Sequence, residues 1–374
     1  MTKPWATLPA PKSDFIGLEG VTHLATGGQP PLLQAHRQAF EAFATDKSIG
    51  ADGYSRHWAV VDEVRTAIAD MVNAEPGDIA MTDNASEGIA KVTDSIAWQP
   101  GDNAVVSALD YASGRYNIAR LRQRGIDVRF VAGSEWVQHE DALLEACDAR
   151  TRLVYVAQVN ATTGQHMDMQ RLSAQLYNTG TVLLNDASHA MGAIPVDADH
   201  ADFTVWSNYK FLLGVHDGVL VWNRRRHKEF VPRGIGWAAA QSTADPDKFI
   251  LKPDARRAEY GNVGHLGAYL LRESLSYLGQ FEPHAVAAHV RRLSGQMLDG
   301  YERLGLEVLT PVEPQRRAAN AAFRHPAPER VVQAASSDRI LVWGDNNRVR
   351  ASAHLFATEE DVARYLEHLP NYLR

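Results

Sequence analysis

At 374 residues the chain exceeds one ordinary hydrophobic core, which predicts a large domain packed against a smaller one. A formal net charge of -7 and a pI near 6.1 leave no electrostatic case for nucleic acid or an anionic membrane surface. With 45% hydrophobic and 22% charged residues, the composition is that of a globular protein, and a small molecule is the expected partner. No apolar run approaches the ~18 residues of a membrane span, and the opening MTKPWATLPAPKSDF lacks the apolar stretch of a signal peptide, so a cytoplasmic location is expected. The single cysteine, Cys147, excludes an intrachain disulfide and fits a reducing compartment.

Seven apolar runs are expected strands: Ile79 to Thr82, Ala104 to Ser107, Val128 to Val131, Leu153 to Gln158, Val182 to Asn185, Phe203 to Ser207 and Val219 to Trp222. Amphipathic stretches such as EGIAKVTDSIAW, GRYNIARLRQRG, EDALLEACDA and MQRLSAQLYN lie between most of them. That alternation predicts an α/β fold with a mainly parallel seven-stranded sheet wrapped by helices. From about residue 263 two long helical segments, GHLGAYLLRESLSYLG and HAVAAHVRRLSGQMLDGYERLG, change the pattern. Short strands and a last helix, TEEDVARYLEHL, complete a smaller C-terminal α+β unit. The large domain is expected over residues 30–255, and the small one from residues 1–29 joined to 256–374.

In open α/β sheets ligands sit beyond the carboxyl ends of the strands, where several polar residues fall here. The stretch MTDNASEG runs from a strand end into a helix, and its free backbone N–H groups with the Ser86 hydroxyl suit a phosphate. An ordinary helix cap explains the same residues. Asp186 ends the run VLLND and Lys210 follows FTVWSNY, placing a carboxylate and an amine at the mouths of two buried strands. A buried ion pair would account for the two by themselves. Pyridoxal phosphate also would, because its ring nitrogen needs an acidic partner, its aldehyde an amine and its ester a phosphate cradle. No G-x-G-x-x-G follows any expected strand, which disfavours a dinucleotide-binding dehydrogenase.

Six stretches in order carry a resemblance: MTDNASEGIA, ALDYASGRYNIARLRQRGIDV, TRLVYVAQVNATTGQHMDM, LLNDASHAMGAIPVDADHADFTVWSNYKFLLGVHDGVLVW, EYGNVGHLGAYLLRESLSYL and RVRASAHLFATEEDVARYLEHL. From residue 20 onward the chain resembles the class V aminotransferase family, fold type I pyridoxal phosphate enzymes that include cysteine desulfurases, isopenicillin N epimerase-like proteins and kynureninase. The resemblance implies Lys210 as the Schiff-base lysine and Asp186 as the carboxylate facing the pyridine nitrogen. It implies His189 beside the ring's phenolic oxygen, Tyr111 stacked on the ring, and Asn160 near the cofactor. Ala85, Ser86 and Ser207 would hold the phosphate, with Asn262 reaching the phosphate of a neighbouring subunit in a homodimer. Arg350 matches the arginine that grips the substrate's α-carboxylate, a task that suits a planar fork of donors. Arg348 is expected on the surface, Arg56 is a weaker candidate for the same cleft, and no metal enters the scheme.

Departures from the family pattern narrow the chemistry. Tyr209 stands where many relatives have histidine before the lysine, and Asn262 replaces a common threonine. Desulfurases need a thiolate on the loop before the carboxylate arginine, and LVWGDNNRVR has none. Cys147 is expected on an amphipathic helix as a buried structural thiol. Transamination between a small amino acid and a 2-oxo acid is therefore expected first, with a C–S or other β-elimination lyase, or an amino-acid epimerase, second. A non-catalytic sensor is disfavoured because no residues remain for a DNA-binding module.

Overall fold

All seven apolar runs become strands of one sheet: β1 (Ile79–Thr82), β2 (Asn103–Ser107), β3 (Asp127–Val131), β4 (Thr151–Ala157), β5 (Val182–Asp186), β6 (Phe203–Ser207) and β7 (Gly218–Trp222). The computed structural model describes residues 5–374. Strand order is β1-β7-β6-β5-β4-β2-β3, with β7 antiparallel to both neighbours and every other pairing parallel. The carboxyl ends of the six remaining strands therefore share one edge. Continuous apolar runs suit a sheet covered on both faces. Alternation sorts their side chains: Val219 and Val221 pack with Val60, Val64 and Ile68, whereas Leu220 and Trp222 pack with Ile89 and Val92.

The covering helices are α1 (His36–Lys47), α2 (Ala51–Met71), α3 (Ala85–Ser95), α4 (Ala112–Ala119), α5 (Glu140–Glu145) and α6 (Met169–Leu176). Next come α7 (His265–Leu278), α8 (Pro283–Arg303), α9 (Pro328–Ser337) and α10 (Glu359–Tyr372), and α7 lies against α1 and α2. Helix α5 is shorter than EDALLEACDA suggested, and Cys147 lies just beyond its end. The cause is local: Cys147 N–H turns back to Leu144, and Asp148 is tied into the next loop by Asn103 and Arg150.

A second, antiparallel sheet of β8 (Asn320–Arg324), β9 (Trp343–Asp345) and β10 (Arg348–Ser352) runs in the order β8-β10-β9. The β9–β10 hairpin turns through Asn346 and Asn347, both left-handed at φ 48° and 58°, as a two-residue loop with the twist of its strands requires. Thr22–His23 pairs in parallel with Ile340–Leu341, and Ala25 bridges to Ser352. Those contacts lay the next residues, Gly27 and Gly28, against the C-terminal sheet.

Candidate active site

Asp186 is the last residue of β5, Ser207 the last of β6, and Lys210 follows three residues later, so the common strand edge delivers all three. A cavity of about 360 Å³ opens there, lined by Asp186, Ser207 and Lys210 together with Ala85, Ser86, Tyr111 and His189. At one end α3 begins. Its cap residue Asn84 accepts from the Glu87 N–H at 3.0 Å, and the Ala85 N–H donates to Ser207 Oγ at 3.0 Å. The positive end of the helix dipole faces the cavity beside Ser86, which suits an anion.

Asp186 is buried, with the Ser188 N–H donating to Oδ1 at 2.9 Å and the Tyr155 hydroxyl to Oδ2 at 3.1 Å. Burial brings the Lys210 amine down to about 8; the Asp186 charge opposes that shift and Arg350 adds to it. Two rings flank the amine, with the Tyr111 and Tyr209 centroids each 5.8 Å from Nζ. His189 is buried and its imidazole is held well below its ordinary range, first by burial and then by Lys210. The Asn320 amide donates to its Nδ1 at 3.1 Å, so the neutral ring carries its proton on Nε2.

A second chamber of about 260 Å³ adjoins the first through Tyr111, His189, Tyr209, Lys210 and His216. Its far wall consists of Gly27, Gly28, Trp343, Asp345, Arg348 and Arg350. Arg350 Nη1 donates to the Ala161 carbonyl at 2.6 Å, while its Nε is buried without a partner among the described residues. Burial, and then the Arg348 charge, bring the Arg350 guanidinium down to about 9. Trp343 lies directly across the hairpin from Arg350, and its indole N–H donates to Asp345 Oδ2 at 3.0 Å. A Cβ on Gly28 would come within 2.3 Å of that indole, so the close approach requires glycine.

Two expectations about arginines change. Arg348 is buried, not on the surface; it donates to the same Ala161 carbonyl at 2.7 Å and pairs with Asp345 at 2.9 Å. The reason is strand geometry, because residues two apart on β10 share a face. Arg56 is exposed, pairs with Asp46 at 3.0 Å and lines neither chamber.

Two further candidates, Asn160 and Asn262, do not line the cavity, and neither does Cys147. Asn160 spends its side chain on the protein, donating to the Leu109 carbonyl at 2.8 Å and accepting from the Thr162 and Thr163 N–H groups. Asn262 is exposed and accepts from the Tyr54 hydroxyl at 2.8 Å. Cys147 is half-buried, its thiol pushed up by burial, and it too lines neither chamber. Sequence reasoning missed Tyr155, His216, Asn320, Trp343 and the Gly27–Gly28 pair. Arg348 had a signal, the R-V-R alternation; Asn320, 131 positions from His189, had none. No group of three or more His, Cys, Asp or Glu among the described residues is arranged to hold a metal ion.

Comparison with known proteins bears on this geometry. A family model described as aminotransferase class-V matches residues 29–364. A probable cysteine desulfurase of Methanothermobacter thermautotrophicus is 27% identical over 288 residues, covering 74% of this chain and 71% of the relative. A kynureninase of Pseudomonas fluorescens is 26% identical over 355 residues, covering 86% and 82%. The apo cysteine desulfurase from Thermococcus onnurineus NA1 superposes with a TM-score of 0.90 at 20% identity, over 99% of both chains. The cystine C-S lyase C-DES, solved with its reaction product cysteine persulfide, superposes at 0.85 and 21% identity, over 95% of this chain and 98% of that one. At such identities the solved structures establish the fold, and the family model, spanning both chambers' strands and most of the C-terminal unit, establishes more: the chain belongs to the class V aminotransferase family of fold type I pyridoxal phosphate enzymes.

Proposed function

We propose that the protein is a pyridoxal phosphate-dependent lyase that cleaves a bond at the β-carbon of a small amino acid. The residues present fit the cofactor: one cavity offers an amine, a buried carboxylate and a helix N-terminus, and its neighbour offers a buried arginine nitrogen with no partner among the described residues. Lys210 would hold the cofactor's aldehyde, Asp186 its ring nitrogen, and Ala85, Ser86 and Ser207 its phosphate. When bound, the cofactor supplies an electron sink for the bonds at the substrate's Cα.

The remaining work falls to the chain's own side chains. Arg350 would bind the α-carboxylate and so fix the orientation of the substrate's Cα in the second chamber. Lys210 Nζ, brought down to about 8 by burial, is neutral often enough near pH 7–8 to take the Cα proton. His189, held neutral by burial, would present its ring N–H to the cofactor without adding charge. The net reaction balances as X–CH2–CH(NH3⁺)–COO⁻ plus water giving HX, pyruvate and ammonium.

Transamination, expected first from the sequence, gives way here. The observation that carries the change is a site with the carboxylate arginine and the lysine but no thiol, in a chain whose relatives are named desulfurases, kynureninases and a C-S lyase. Without a cysteine to accept sulfur, the leaving group departs as a free molecule. Val231, Trp237, Phe249 and Ile250, in the segment before Asn262, are each exposed, and such exposed apolar side chains support a homodimer with Asn262 entering the partner's phosphate site. Sedimentation of a fully active monomer would remove that part of the proposal.

β-Substituted amino acids, cysteine and cystine first, test the reaction. Stoichiometric ammonia and 2-oxo acid, with the cofactor retained in its aldehyde form, is the expected result. Conversion to the amine form, reversed by a 2-oxo acid, overturns it in favour of transamination. Inversion at Cα without either product would mark an epimerase, alanine from cysteine a sulfur transfer to an added thiol acceptor, and alanine from a 3-acyl substrate a hydrolytic C–C cleavage.

A further inference from the structure

Strand β4 is buried, and among the apolar side chains of TRLVYVA it carries one phenol, Tyr155, with no exposed surface. A buried hydroxyl without a partner is costly, so its acceptor is informative. The one acceptor among the described residues is Asp186 Oδ2 at 3.1 Å, one strand away. Helix α4 makes room for the ring. A Cβ on Gly114 would fall 2.2 Å from Tyr155 Cε1 and Cζ and 2.4 Å from its hydroxyl, so glycine occupies a helical position where it is otherwise unfavourable.

We infer that Tyr155 is a positioning residue for the cofactor-facing carboxylate: its phenol holds Asp186 Oδ2, and with the Ser188 N–H on Oδ1 it sets both the orientation of Asp186 and its strength as partner of the ring nitrogen. The inference rests on the assignment of Asp186 to that nitrogen.

A second buried carboxyl gives the phenol a further consequence. Asp110 accepts from the Ala157 N–H at 3.3 Å and from Asn160 Nδ2 at 3.3 Å. Burial, with the charge of Asp186 adding to it, pushes Asp110 up to about 8. A change in how Asp186 is held is therefore felt by the neighbouring carboxyl. Each of the two carboxyls has a donor on both oxygens, and Tyr155 is one of the two that hold Asp186. The other groups that sense Asp186 are Lys210 and Tyr209, both on the loop after β6. Tyr155 cannot give up its own proton near neutrality, because burial and then the charges of Asp186 and Asp110 raise it well above the phenol range. It is a donor throughout.

Replacing the phenol while following the bound cofactor's visible absorption against pH tests the inference on the holoenzyme. Tyr155→Phe removes only the hydroxyl and should move the midpoint of the spectral change by at least about half a pH unit, with kcat falling roughly tenfold and KM little changed. Site-specific 3-fluorotyrosine at 155, a stronger donor of nearly the same size, should move the midpoint the other way, and it serves where the phenylalanine variant does not fold. Superimposable pH titrations, or both variants shifting in the same direction, overturn the inference. A wild-type protein with no cofactor absorption would instead refute the cofactor assignment of Asp186, a separate failure.

Discussion

The two chambers of the site are built in opposite ways. The first takes its side chains from the ends of adjacent strands: Asp186, Ser207 and Lys210 lie within 25 positions of one another, and Ala85 and Ser86 start the helix after β1. The second is assembled from chain segments far apart, with Gly27 and Gly28 laid over a hairpin that carries Trp343, Asp345, Arg348 and Arg350. One chamber needs only that the sheet form, because a strand end places its residue wherever the strand goes. The other needs the N-terminal segment, the C-terminal sheet and the large sheet to meet. The first chamber therefore rests on the more robust part of the fold, and the second on a part that a small change in docking would alter.

Removing Lys210 should produce the largest effect. Lys210→Ala is expected to lose turnover to background, and borohydride reduction of the wild-type holoenzyme followed by peptide mapping should place the pyridoxyl label on Lys210. Label on a different lysine would break the assignment of the first chamber. Arg350 tests the second chamber separately. Arg350→Ala should lower kcat/KM by roughly 10²–10³, the cost of leaving a carboxylate unpartnered in a buried site, while the cofactor's absorption stays as in wild type. Arg350→Lys should recover little, since an ammonium cannot present the bidentate fork. A spectrum altered as strongly as the kinetics would show that the chambers are not separable.

A smaller effect is expected with pH. Lys210 must be neutral to capture the cofactor, so capture by the apoprotein should quicken about tenfold per unit up to about pH 8 and then level off. Between about 8 and 10.5 the unfolded amine still holds a proton that the folded one has released, so apoprotein stability should rise with pH across that window. Capture that keeps accelerating to pH 10 would show an amine with no depression. Cys147→Ser should change nothing measurable in turnover, because the thiol lines neither chamber. Loss of activity in a folded serine variant would reopen thiol chemistry.

How far each chamber was visible beforehand follows from the same contrast. The seven strands, Asp186, Lys210 and the helix start at Ala85 were legible because apolar runs have a period and the ligand edge of a parallel sheet is known once the strands are. Arg350 was legible through a family motif, but its neighbour Arg348 was misplaced because attention to one arginine overlooked the alternation that puts both on one face. Asn160 was read as a cofactor contact from its motif, whereas its hydrogen bonds to Leu109, Asp110 and its own turn depend on which way the side chain points and had no signal in the sequence.

By itself, then, the order of residues determined the sheet, the face of each strand, the polar residues at the strand ends and the lack of a site cysteine, all consequences of local periodicity and composition. Tertiary structure alone decided that Tyr155 reaches Asp186, that Asn320 sets the tautomer of His189, and that Gly28 lies against Trp343. Each of these is a contact between elements, made where packing closes a distance that no spacing along the chain specifies. Hydrogen-bond direction and burial then convert such contacts into charge states, which is why Lys210 is recognised from its place in the sequence but its lowered pKa only from its surroundings.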